Sequence, residues 1–133
     1  MTIERIHPEG LFRFPGMAQV MATRGGRTLH VAGQTAMDKD MNFLGGDDYY
    51  AQATHAFANL KIALGVAGAS FDHLVTTTIY IKDIGPRAFE GISKAMREAF
   101  DGKPIPDHAM TMIGVAALGS PKLLLEVAAV AVV

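Results

Sequence analysis

The segment Leu123–Val133 reads LLLEVAAVAVV, and it constrains the fold more than any other stretch. Side chains of a strand alternate between two faces, so a strand with one wet face alternates apolar and polar residues. Here both sets of alternate positions are apolar, and Glu126 is the sole exception. Such a strand belongs inside a sheet that is covered on both sides. Two helices of this chain can cover one side. The other wants an apolar cover too, and a second subunit is the simplest one. A mean hydropathy of +0.22 with only 19% charged residues agrees with surface that a partner chain hides.

The remaining elements follow from periodicity and punctuation. Met17–Thr23 and Thr28–Ala32 read as strands joined at Arg24-Gly25-Gly26-Arg27, where Gly-Gly supplies the positive φ of a tight hairpin. Gly33-Gln34 ends the second of them. Asp47 or Asp48 then offers a helix N-cap, and Phe57, Leu60, Leu64 and Ala67 recur at helical spacing before Gly68. The β-branched run Leu74–Lys82 is a strand. Pro86 opens a second helix with Phe89, Ile92 and Met96 on one face, closed by Gly102 and Pro104. His108–Ala116 and Leu123–Val133 are the last strands. The order ββαβαββ predicts an α+β fold, a mixed β-sheet with two helices packed on one face, as a single domain over 1–133.

Composition excludes several functions. The net charge of −1 provides no basic field for a phosphate backbone, so nucleic acid is not the expected partner. There is no cysteine for a disulfide, a thiolate metal site or a nucleophile, which suits a reducing cytoplasm. Glu4, Arg5, Glu9 and Arg13 interrupt the first residues, unlike a secretory leader, and no apolar run approaches the roughly 20 residues of a membrane span.

Asp38-Lys39-Asp40-Met41-Asn42 starts like a calcium loop but places Phe43 where glycine is needed and Tyr49 where glutamate is needed; a polar turn is the expectation. The five histidines show no metal-ligand spacing, and no Gly-x-Ser-x-Gly elbow is present. Glu126 stands out, because a charge inside so apolar a strand is expensive to desolvate. Either it reaches solvent or a cation, or it lies in a partly dry cleft where it can take a proton from water or substrate.

An ordered set of residues carries a family likeness. It comprises Ala32-Gly33-Gln34, Gln52, Asn59-Leu60, Ala67-Gly68-Ala69-Ser70, Thr76–Asp83, Phe89, Phe100, Pro106, and Glu126 with Ala131. From about Phe14 to the end, the chain resembles the RidA (YjgF) family. The resemblance implies a chorismate-mutase-like fold assembled as a homotrimer around a central barrel, with small-molecule clefts between subunits. It also implies hydrolysis of enamines and imines such as 2-aminoacrylate to 2-oxo acids and ammonia, without metal or organic cofactor. In such proteins an arginine grips the substrate carboxylate and a glutamate, here Glu126, handles water. Some relatives are called ribonucleases.

The chain departs from that pattern in three places. His108 stands at the arginine position, Met17 replaces an aromatic hydroxyl residue, and Ser93 replaces an asparagine. Arginine offers a permanent charge and a planar fork; histidine at neutral pH offers at most one good donor on that face. The loss of such a contact costs about 2–5 kcal/mol in affinity for a carboxylate. The catalytic expectation therefore rests on Glu126, with His108 as an acid–base partner or a mere spacer. Met17, Gly33, Gln34, Ser93 and Met110 are the expected substrate-binding positions. The readings in play are a cofactor-free hydrolase or deaminase, a non-catalytic metabolite-binding trimer and, more weakly, an endoribonuclease.

Overall fold

The computed structural model describes residues 1–133, which form β1 (Thr2–Ile6), β2 (Val20–Arg24), β3 (Thr28–Gln34), α1 (Tyr49–Val66), β4 (Leu74–Lys82), α2 (Pro86–Glu98), β5 (Ala109–Val115) and β6 (Leu125–Val132). The apolar strand β6 takes an interior place in a four-stranded sheet of order β3-β6-β4-β5. It runs antiparallel to β3 and β4, while β4 and β5 are parallel, so the sheet is mixed. The expected α+β class, with two helices on a mixed sheet, is what forms. No helix is long and apolar enough to cross a membrane.

Both helices pack on one face. Ala53, Ala56, Phe57, Leu60 and Leu64 of α1 are buried with Leu125, Val127, Ala129 and Ala131 of β6 and with Ile79 and Ile81 of β4. Asp48 caps α1 by accepting from Ala51 N–H, and Gly68 follows the helix at φ +79°, the left-handed backbone its sequence position calls for. Gly91 of α2 lies against Tyr49 and Tyr50 of α1, where a Cβ would come within 2.7 Å of the Tyr50 nitrogen. The helices cross closely because that side chain is missing.

The opposite face of the sheet has no cover from this chain. Glu126, Ala128 and Val130 of β6 alternate with the buried set and are only half-buried. Their cross-strand partners Tyr80, Thr78 and Thr76 of β4 are half-buried as well. The open face is therefore apolar along β6 and hydroxyl-rich along β4.

Several expectations need correction. The hairpin at Arg24–Arg27 does not pair its own arms: Gly25 and Gly26 do take positive φ, but β2 pairs with β1 and β3 pairs with β6. Arg27 and Val133 exchange two backbone hydrogen bonds, which ties the start of β3 to the chain's end. Strand β1 was not anticipated, since Glu4 and Arg5 dilute its apolar content, and Met17 falls outside β2. On α2 the buried stripe is Ala88, Ile92 and Ala95, with Phe89 turned outward. Finally, β3 extends through Gly33-Gln34 instead of stopping there. It carries a bulge, because three steps from Val31 to Gln34 oppose two from Ala129 to Val127.

Candidate active site

The bulge determines where Glu126 goes. It brings Gly33 against the Glu126 side chain, so closely that a Cβ on Gly33 would lie 2.5 Å from the carboxyl carbon and 2.7 Å from Oε2. Glu126 thus occupies the space a side chain at position 33 would fill. It forms no ion pair within the chain, and Tyr80 faces it from the neighbouring strand. Gln34, beside it, is half-buried and donates its amide to the Ala32 carbonyl at 3.0 Å.

Gly33→Ala should leave the fold intact, since Gly33 does not use a left-handed φ, but should push the carboxylate aside. The expected pattern is an unfolding free energy within about 1 kcal/mol of the parent and turnover depressed toward that of a protein lacking Glu126. Unchanged turnover would show that the carboxylate's position against Gly33 is immaterial.

A second concavity lies on the helix side of the sheet. It is a cavity of about 830 Å³ where α2 contributes Ser93, Met96 and Arg97, and β5 contributes Met110 and Met112. The segment between β1 and β2 adds Arg13, Phe14 and Gly16, and the loop before β5 adds Ile105 and Asp107. Met17 and His108, which follow the lining residues Gly16 and Asp107 in sequence, are main-chain partners, with Ala18 N–H donating to the His108 carbonyl at 3.0 Å.

The His108 side chain does not enter the cavity. It is fully buried, with Nδ1 2.9 Å from the Pro106 carbonyl and Nε2 2.7 Å from Thr77 Oγ1. A carbonyl can only accept, so Nδ1 carries the proton and Nε2 accepts from the Thr77 hydroxyl. Both nitrogens are occupied, and a direct contact with a ligand would require breaking one of these bonds. Burial holds the imidazole below its ordinary 6.5, although the bond to Pro106 opposes the shift.

The unfolded chain therefore binds a proton that the folded chain refuses, and stability should fall as pH drops through about 6.5. Denaturant unfolding at pH 7.5 and pH 5 checks this. The parent should lose more stability across that interval than His108→Gln, which keeps a hydrogen-bonding side chain without the titration. Equal losses would mean that His108 is not the group responsible.

The expected site residues thus fall into two groups on opposite faces of the sheet. Gly33, Gln34 and Glu126 lie on the open face. Ser93 and Met110 share the cavity on the helix side, and Met17 and His108 are not among its lining residues. No three His, Asp or Glu side chains converge anywhere as a metal centre would need.

Residues 16–133 match the family model described as Endoribonuclease L-PSP. The chain belongs to the RidA (YjgF) family. A RutC family protein of Synechocystis is 33% identical over 116 residues, covering 86% of this chain and 83% of the relative. The Rid family protein YyfB of Yersinia pestis shares the fold over the whole of both chains with a TM-score of 0.91 and 32% identity. Rv2704 of Mycobacterium tuberculosis, a YjgF/YER057c/UK114 family member, is 30% identical with a TM-score of 0.64 over 99% of this chain and 100% of its own.

With membership in the RidA family in view, two of the quoted family residues explain themselves as staples. Buried Gln52 donates to the Gly46 and Lys122 carbonyls and accepts from Leu124 N–H, and Asn59 donates to the Thr35 and Met37 carbonyls. Both hold loops against α1. In the calcium-like segment Asp38 accepts from the backbone of Asp40 and Asn42 and from the Asn42 side chain, which makes it the polar turn expected. The Asn42 side-chain bond, followed by its backbone N–H, holds the Asp38 carboxyl below its usual range.

Sequence reasoning missed Tyr80, Arg13 and Arg97. Tyr80 had a signal, since alternation in LVTTTIYIK places it opposite Ile79 and Ile81, on the Glu126 side. The two arginines had none, because they are far apart in sequence and only the packing of α2 beside residues 13–16 brings them to one cavity.

Proposed function

We propose that this protein is a cofactor-free hydrolase that adds water to a small imine or enamine and releases ammonia, in clefts completed by a neighbouring subunit of a homotrimer. The observation that carries the reading is the unpaired Glu126 carboxylate, seated against Gly33 on a sheet face that is otherwise apolar along β6. A carboxylate so placed can accept a proton from water as the water attacks the electrophilic carbon of a C=N bond. The carbinolamine that results then expels ammonia, with the proton returned by the glutamic acid.

The split between the two faces supports an intersubunit cleft. A neighbour packed on the open face would cover Ala128 and Val130, and could set a cavity-bearing surface beside Glu126. Mixing the protein with freshly generated imines and measuring ammonia release tests the chemistry; sedimentation at micromolar concentration tests the assembly. A species of 14.2 kDa under assay conditions would remove the shared cleft, and ammonia release at the buffer rate would remove the hydrolase.

One observation favours a second reading, a metabolite-binding trimer without turnover. The side chain at the arginine position, His108, is sealed in the core and grips nothing. That reading predicts stabilisation by ligands in a thermal-shift experiment with no product formed.

A further inference from the structure

We infer that the cavity between α2 and β5 binds an organic monoanion with an apolar tail, its carboxylate held by Arg97 and Arg13. The assignment deepens the proposed function and, as a statement about substrate class, rests on it; as a binding site it is open to test without turnover.

Charge is the first argument. Arg13 and Arg97 line one cavity, and neither makes an ion pair or side-chain hydrogen bond within the chain. The other arginines that make polar contacts have them elsewhere: Arg5 with Asp107 and Asp72 carbonyls, Arg27 with Ala67, Arg87 with Asp47. Asp107 is the only carboxylate in the cavity lining, and one of its oxygens is 3.4 Å from His7 Nε2. The lining therefore carries one net positive charge, which matches a monoanion. Guanidinium forks are suited to carboxylates in particular.

Lining chemistry and size are the second argument. Met96, Met110 and Met112 form much of the wall, and unbranched thioethers adapt to tails of different shape. About 830 Å³ is far more room than a three-carbon acid needs, and falls in the range of sites that enclose larger ligands. These guanidiniums supply from α2 and the N-terminal segment the positive charge that position 108 lacks.

Calorimetry on the protein as it assembles in solution, with hexanoate, acetate, hexanamide and hexylamine as probes, tests the inference. Hexanoate should bind about a hundredfold more tightly than acetate, since each of its four additional methylenes contributes roughly three- to fourfold when buried. Hexanamide and hexylamine should bind at least about tenfold more weakly than hexanoate. Arg97→Gln and Arg13→Gln should each weaken hexanoate roughly tenfold and leave hexanamide unchanged, while Arg97→Lys should recover part of the loss. Both arginines are exposed, so the variants should fold, and circular dichroism checks that they do.

Equal affinity for hexanoate and hexanamide, undiminished hexanoate binding by the double Gln variant, or no hexanoate binding at millimolar concentration would each overturn the assignment. The two readings fail separately. Carboxylate binding that follows this pattern without any imine turnover sinks the hydrolase and leaves the grip. Turnover that depends on Glu126 but not on either arginine does the reverse.

Discussion

Glu126→Gln should leave the fold and the assembly unchanged and lower ammonia release from an imine by about 10²- to 10⁴-fold, the usual contribution of a positioned general base. The substitution removes the proton acceptor while keeping the shape that fits against Gly33. It also removes a half-buried charge that has no partner in the chain, so the unfolding free energy should stay level or rise slightly. A loss of turnover accompanied by equal or greater stability is the signature of a residue kept for chemistry. Equal turnover in the two proteins would end the hydrolase reading. A variant that lost activity only because it unfolded or dissociated would move Glu126 from the reaction to the architecture, and melting and sedimentation curves distinguish that outcome.

Most of the layout was legible in the residues. The twofold apolar alternation of β6 predicted its interior position, and Asp48, Gly68 and Pro86 punctuate helices where local hydrogen bonding and backbone sterics require them. These signals are local, and packing has no reason to override them. The N-terminal region resisted for the opposite reason. Whether β2 pairs with β3 or with β1 depends on which partner offers a free edge, and β3 is drawn to β6 by the bonds between Arg27 and Val133 at the far end of the chain.

The site divided in the same way. Glu126 was conspicuous because its neighbours in sequence are apolar, and its seat against Gly33 comes from a bulge that only the register reveals. His108 was visible as a departure from the family pattern. That it is buried, with Thr77 and Pro106 taking both nitrogens, depends on a contact between β4 and the loop before β5 that no spacing rule encodes. A histidine with one protonated and one accepting nitrogen suits such a buried slot as well as it suits catalysis.

Gln52→Leu should destabilise the chain by about 3 kcal/mol, an unusually large cost for a change that preserves volume. Gln52 is buried in α1 and bridges three main-chain groups: the carbonyls of Gly46 and Lys122 at 2.7 and 2.9 Å, and the N–H of Leu124 at 2.9 Å. Leucine fills the space but leaves those groups without partners, and an orphaned buried amide or carbonyl costs about 1–3 kcal/mol. Relaxation of the exposed loop at Gly46 recovers some of this, which is why the total stays at the low end of the roughly 3–9 kcal/mol that three such groups would cost. For a domain of this length the melting temperature should fall by roughly 10 °C. The bond to Leu124 also fixes the entry to β6 two residues before Glu126, so turnover should fall at temperatures well below the transition, where the variant is still folded. Gln52→Glu separates the two contributions, because it keeps an acceptor for Leu124 N–H while losing both donors. It should hold more activity than the leucine variant at equal folded fraction. Melting within about 2 °C of the parent for Gln52→Leu would show that water or neighbouring groups replace the bridge, and that the position of Glu126 is set by Gly33 alone.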